Sequence, residues 1–185
     1  MSGEQTARAA DIVSFWREAG PEAWFKKDEA FDANIRDRFL PTYEAAADGK
    51  LSSWENHAEG ALALLILLDQ FPRNMFRGSP RMFETDPMAR AIAAGALVRG
   101  FDAEVPHDMR SFFYLPFEHS ESLKDQERSV ALFKATGDAE LLKWAEIHAD
   151  IIRRFGRFPH RNAVLGRATT SEEQAFLDDE ASFKG

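Results

Sequence analysis

The stretch RFGRFPHRNAVLGR, residues 154–167, puts four arginines and a histidine within fourteen residues of an acidic chain. A shorter relative, DQFPRNMFRG at 69–78, likewise runs through Phe-Pro and Arg-Asn to a Gly a few residues on. Guanidinium forks engage carboxylates and phosphates through paired, charge-assisted hydrogen bonds. Arg73, Arg157, Arg161 and Arg167, flanked by Asn74 and His160, are therefore donors suited to a small anion or a peptide carboxylate. In a chain with a net charge of -8, such a local cationic cluster carries more information than it would in a basic protein.

Three further positions have chemistry open to them. Asp69 continues the stripe Leu62, Leu65, Ile66 at helical spacing and lies near the end of an apolar helix. Burial and the helix dipole both penalise an anion there, so Asp69 needs a cationic or donor-rich partner. Arg73 or an arginine of the second turn can fill that role. His148 occupies the middle of the face formed by Leu141, Trp144, Ala145, Ile151, Ile152 and Phe155. It reads either as a satisfied core histidine or as a base, and its helix leads directly into the second arginine-rich turn. Glu118, His119 and Glu121 bunch behind the aromatic run SFFYLPF. Glu121 suits the N-terminus of the following helix, while Glu118 and His119 are candidates to face inward.

Other chemistries find little support. There is no cysteine, which removes disulfides, thiolate metal sites and a thiol nucleophile. There is no HExxH, and the one Glu-x-x-His, Glu104 to His107, has no partner repeat, so no metal and no cofactor is expected. GxSxG, P-loop and GxGxxG motifs do not occur. The acidic balance argues against nucleic acid or an anionic membrane as partner. The longest apolar run, ALALLILL at 61–68, is far shorter than the ~20 residues of a membrane span. With no signal-like pattern at the N-terminus, the expectation is a cytoplasmic protein.

The elements that must hold these residues read as helices. Period-two alternation and hairpin turn pairs are missing. Thr6 is expected to cap a helix ending at Gly20-Pro21, and Asp28 to cap a second in which Pro41 forces a kink or restart. A third, about Ser53 to Phe71, is apolar all round and should be the most buried. Thr85 opens the next, ending at Gly100, and an aromatic helix follows over about 107–117. Ser120 or Ser122 opens a helix to Thr136, and Asp138 caps one that ends at Phe155 with Gly156 behind it. Thr170 and Glu173 form a capping box for a short last helix. The whole reads as a single all-α domain over 1–185, of about eight helices in antiparallel pairs, with a polar tail fraying from about 178. The paired turns hint weakly at an old duplication.

The segments GALALLILLDQFPRNMFRG, FFYLPFEHSE, DQERSVALF and RFGRFPHRNAVLGR, followed by SEEQAFL, carry a resemblance through nearly the whole chain. It resembles a bacterial domain-of-unknown-function family of small, all-helical proteins in the tetratricopeptide-repeat-like superfamily. The resemblance implies an α–α superhelix built from antiparallel helix pairs and supplies no reaction. The Trp, Leu-Gly and Tyr signature of tetratricopeptide repeats is not visible, which argues against peptide binding in the usual concave groove.

The leading expectation is one polar pocket lined by Asp69, Arg73, Asn74, His119, His148, Arg157, His160 and Arg161. It would bind a small anionic ligand or a peptide carboxylate. The alternative is a hydrolase in which Asp69 or Glu118 orients His148 or His119 as general base. A third reading is an interaction scaffold in which these residues are structural, marked by large exposed aromatic patches.

Overall fold

Helical periodicity and strong caps leave no competing local structure. Residues 6–183 are described in the structure, a computed structural model, and among them every regular element is helical. They form two compact units. One holds the chain up to Arg77 together with Arg81–Pro116, and the other holds Gly78–Pro80 with the chain from Phe117 on.

In the first unit, α1 spans Ala9–Ala19. Its expected cap, Thr6, lies too far upstream. Arg8 stands at the N-cap, and Asp11 accepts from both the Arg8 N–H and its guanidinium. Asp11 also places negative charge in the first turn, where the helix dipole favours it. A short α2, Pro21–Trp24, follows Gly20, whose φ of 74° turns the chain. Asp28 caps α3, Glu29–Ala47, by accepting from the Ala30 and Phe31 N–H groups. The helix does not restart at Pro41, since α3 runs through it without a break. Proline removes one donor, and the carbonyl it deprives belongs to Asp37 on the exposed side of the helix.

The apolar helix starts later than its hydrophobicity predicts. Residues Ser52–Asn56 form a 3-10 turn, and α4 begins at Ala58 and runs to Leu65. Gly60 makes this packing feasible, because a Cβ there would lie 2.2 Å from the Trp54 carbonyl oxygen. The helix then widens into a π turn over Ile66–Gln70 and continues as α5, Phe71–Met75. Pro72 was expected to end this helix, and the π turn explains how the chain carries on. In an α pattern the Leu68 carbonyl would accept from residue 72, which is a proline with no N–H. That carbonyl instead accepts from Thr85 Oγ1 at 2.6 Å. Thr85 thus stands at the N-cap of α6, Asp86–Val98, but its hydroxyl serves the π turn rather than its own helix. The expected aromatic helix is a 3-10 segment, His107–Phe113, followed by α7, Leu115–Glu118. Trp16, Trp24, Phe39, Phe71 and Phe112 pack together in the core of this unit.

In the second unit, α8 spans Leu123–Thr136 and α9 spans Ala139–Phe155. Gly137 at φ 76° turns the chain between them, so the two pack as an antiparallel hairpin. Asp138 caps α9 and Gly156 ends it, both as the sequence predicts. The capping box of Thr170 and Glu173 opens α10, Ser171–Asp178. Ile151, Ile152 and Phe158 form the core here, with Phe155, Phe176 and the tail residue Phe183 packed on it. Among the described residues, no helix is long and apolar enough to cross a membrane.

The Thr85 hydroxyl is the replacement for the donor that Pro72 lacks. Thr85→Val should therefore destabilise the chain by about 1–3 kcal/mol, the usual penalty for an unsatisfied buried polar group. Thr85→Ser should recover most of that loss, as read from urea denaturation midpoints at unchanged slope.

Candidate functional site

The first arginine-rich turn is built into α5. Asp69 is 1% exposed and lies in the π turn, which places it beside Arg73 although Pro72 stands between them. Arg73 Nη1 donates to the Asp69 carbonyl at 2.6 Å and lies 3.5 Å from its carboxylate. The same guanidinium clasps Asp86 with two bonds, of 2.8 and 3.0 Å. Gln70 Nε2 donates to Asp69 Oδ2 at 2.6 Å. Asn74 and Arg77 turn the other way, towards Asp32 on α3. Asn74 Nδ2 donates to Asp32 Oδ1 at 2.8 Å, and Arg77 forms bonds of 2.8 and 3.0 Å to the two oxygens.

The second turn is organised by Glu121 and Glu173. Glu121 was expected to suit the N-terminus of α8. It instead accepts from the Phe158 N–H at 2.8 Å and from Arg167 through bonds of 2.8 and 3.0 Å. Three donors close to one carboxylate outweigh dipole attraction at a helix end. Burial pushes the Glu121 carboxyl up, but Arg167 and the Phe158 N–H hold it below its ordinary value. Glu173, 3% exposed, accepts from Arg157 at 2.6 and 2.8 Å, from the Thr170 N–H at 2.8 Å and from Asn162 at 3.2 Å. The Arg157 bond above all holds its carboxyl down at about 2. Arg161, 7% exposed, donates to the His119 carbonyl at 2.9 Å and lies over the Phe158 ring, 4.5 Å from its centre.

Glu118 and His148 meet. Glu118 is 5% exposed and His148 is 7% exposed, and Glu118 Oε1 lies 3.4 Å from His148 Nδ1. The same nitrogen is 2.8 Å from the Trp144 carbonyl. A carbonyl only accepts, so Nδ1 carries the proton, and in the neutral ring the lone pair is on Nε2. Gln126, fully buried, fixes the Glu118 segment from α8 by donating to the carbonyls of Glu118 and Ser120, each at 2.6 Å. Phe158, Phe183 and His160 line the neighbourhood of the His148 ring. Burial, with Arg161 and His148 nearby, lowers the His160 pKa to about 3. His160 is therefore neutral at physiological pH, and its buried Nδ1 has no hydrogen-bond partner among the described residues.

The candidates thus fall into two settings. Asp69, Arg73 and Asn74 belong to the first unit's network, and His119, His148, Arg157, His160 and Arg161 to the second's. A cleft of about 460 Å3 in the first unit is lined by Tyr43, Glu44, Asp48, Arg81, Glu84 and Thr85. None of the predicted site residues lines it, and its carboxylates outnumber its single arginine. No group of three or more potential metal ligands occurs among the described residues.

A family model described as a bacterial protein of unknown function, DUF924, matches residues 12–181. The chain belongs to the DUF924 family. A solved structure from Agrobacterium tumefaciens, a protein of unknown function, is 52% identical, with a TM-score of 0.89 over 92% of this chain and 96% of that one. No curated protein matches the chain. The DUF924 match covers both arginine-rich turns and the Glu118–His148 pair, whereas Phe183 lies beyond its last matched residue.

Asp32, Asp86, Glu121 and Glu173 were missed as site partners. Glu173 and Thr85 were read only as caps, and Asp86 and Asp32 carry no motif of their own. The one sequence signal was the excess of arginine and asparagine in the turns, since each buried fork demands an acid.

His160 and Glu173, together with Glu121, contribute to the acid behaviour of the second unit. His160 in the unfolded chain takes up a proton below about pH 6.5, which the folded chain resists until about 3. Unfolding then binds a proton, so stability falls as pH falls through that window. Glu173 adds a contribution of the same sign, present above its ordinary 4.5 and lost towards about 2. Between pH 6.5 and 4.5 the histidine acts before the carboxylate, at no more than about 1.4 kcal/mol per pH unit. His160→Gln should flatten the dependence in that interval, as measured by urea unfolding at a series of pH values. An unchanged slope would show that His160 takes up its proton alike in the folded and unfolded chains.

Proposed function

We propose that the second unit holds a proton-transfer site in which Glu118 orients His148 as a general base, and that the chain is a hydrolase. One observation carries this reading: a buried carboxylate stands 3.4 Å from a buried imidazole whose Nδ1 proton is fixed by the Trp144 carbonyl. Such an arrangement directs the basic Nε2 away from the carboxylate and stabilises the imidazolium formed when it takes a proton from water or a hydroxyl. Glu118 is a positioning residue in this scheme, and His148 is the group that touches the substrate.

Binding of a small anionic ligand or a peptide carboxylate takes second place. Arg73, Arg77, Arg157 and Arg167 already clasp internal carboxylates, and an external anion would have to displace one of them. The scaffold reading asked for large exposed aromatic patches; Trp16 and Trp24 are buried, and the exposed Phe25 and Trp144 belong to different units. A cytoplasmic setting and a tetratricopeptide-like arrangement of the helix pairs belong to the same proposal.

The test is a panel of chromogenic esters, amides, phosphoesters and glycosides. Any turnover found should drop by about 10²–10⁴-fold in His148→Gln, the usual contribution of a general base. Glu118→Gln should lower kcat with little change in KM, with the far-UV spectrum unchanged in both. Turnover indifferent to His148, or none across the panel, would defeat the general-base reading.

A further inference from the structure

Three rings of the second unit surround the side chain of Phe183. Its ring centre lies 4.4 Å from that of His148 at 56°, 5.5 Å from His160 at 85°, and 6.0 Å from Trp144 at 58°. Phe158 packs against both imidazoles from within the core, at 5.6 and 5.5 Å. Tilted and edge-on contacts set the positive edge of one ring against the negative face of another, a preference that aliphatic groups cannot reproduce. The neutral state of His160 suits this seat, because a charged imidazole beside Arg161 would need water.

The segment carrying Phe183 is weakly held. Its hydrogen bonds run from Ala181 and Ser182 to Asp179. Among the described residues, no hydrogen bond or ion pair joins residues 180–183 to anything but Asp179. What fixes the segment is one phenyl ring, partly buried against Ile151, Ile152 and Phe158. Burial of that ring is opposed by the ordering of several residues. Phe183 also lies outside the family-matched residues, while every other ring of the seat lies within them.

We infer that the seat formed by Trp144, His148 and His160 is a binding subsite for an aromatic group, and that Phe183 is its intramolecular occupant. The ligand class is a phenyl-bearing small molecule or an aromatic residue of a peptide. As a seat it stands on ring geometry alone. As the substrate subsite of the proposed reaction it rests on the general-base reading, because an aromatic group in the place of Phe183 brings its neighbouring atoms beside His148.

The test is binding rather than turnover, so it does not share the fate of the activity assay. Full-length wild type and Phe183→Ala are titrated with N-acetyl-phenylalaninamide, and the Trp144 indole and His148 imidazole signals are followed by NMR. The expected result is a saturable shift in Phe183→Ala and an apparent affinity at least about tenfold weaker in wild type, where the tail competes. The cyclohexylalanine analogue should bind more weakly than the phenyl probe. No shift in the variant, or equal affinity in both proteins, overturns the subsite. Should Phe183→Ala fail to fold, a chain lacking residues 180–185 is read in the same way. If that chain is also unfolded, Phe183 is a core residue and the inference is wrong.

Discussion

A carboxylate taken out of water has to be given donors, and this requirement shapes both units. Asp32, Asp69, Asp86, Glu118 and Glu173 are all buried. An uncompensated buried charge costs several kcal/mol, more than most single contacts return. Each acid therefore draws a defined set of partners to itself. Asp32 takes Asn74 and Arg77, Asp86 takes Arg73, and Glu173 takes Arg157, Asn162 and the Thr170 N–H. The arginine-rich turns are the complement of these acids. Their excess of positive charge in an acidic chain is local, and it is neutralised locally.

The same requirement explains why two turns share letters without sharing a shape. Phe71, before Pro72, has helical angles of φ -58° and ψ -37°, although a residue before proline is normally pushed out of the helical region. The π turn and the Thr85 hydroxyl absorb that conflict. Phe158, before Pro159, is extended at φ -88° and ψ 108°, in the conformation that proline favours. One Phe-Pro pair lies inside a continuing helix, and the other follows a helix already ended by Gly156. The partners differ too: Asn74 crosses to α3, while Asn162 stays with the capping box of α10. The shared spelling is thus poor evidence for a duplicated unit. What the turns have in common is the chemistry of closing an apolar helix onto buried acids.

Much of the fold was legible because its signals are local. Asp28, Asp138, Gly156 and the Thr170–Glu173 box act within four residues of themselves, so spacing alone locates them. The π turn was not legible. It depends on Thr85 reaching the Leu68 carbonyl across 17 residues of chain, and no periodicity encodes that. The same limit divides the site. Burial of Asp69 and His148 followed from apolar faces read off the sequence, whereas Glu118 was only a candidate to face inward. Their partners did not, because Asp86, Glu121 and Glu173 have equally good local roles as helix-terminal acids. A local role hides a long-range one whenever the same side chain can satisfy both. Glu173 does both at once, holding the Thr170 N–H with one oxygen and Arg157 with the pair.

The electrostatics of the second unit then separate structure from chemistry. Glu173 is held ionised down to about 2, and His160 is held neutral down to about 3. Neither changes state near neutral pH, so both belong to a fixed framework. The Arg157–Glu173 and Arg167–Glu121 clasps tie the second turn to α10 and to the start of α8. Phe158 is thereby fixed beneath the imidazoles, with Arg161 over its ring. An imidazole held between a carboxylate and a carbonyl on one nitrogen, with aromatic rings around it, needs such a frame to keep its orientation. Within the second unit, the Arg157 and Arg167 clasps and the buried Glu118–His148 contact are therefore neighbouring parts of one network. Under the proposed reading, these clasps keep the surroundings of His148 oriented, as a proton-transfer group in an apolar setting requires.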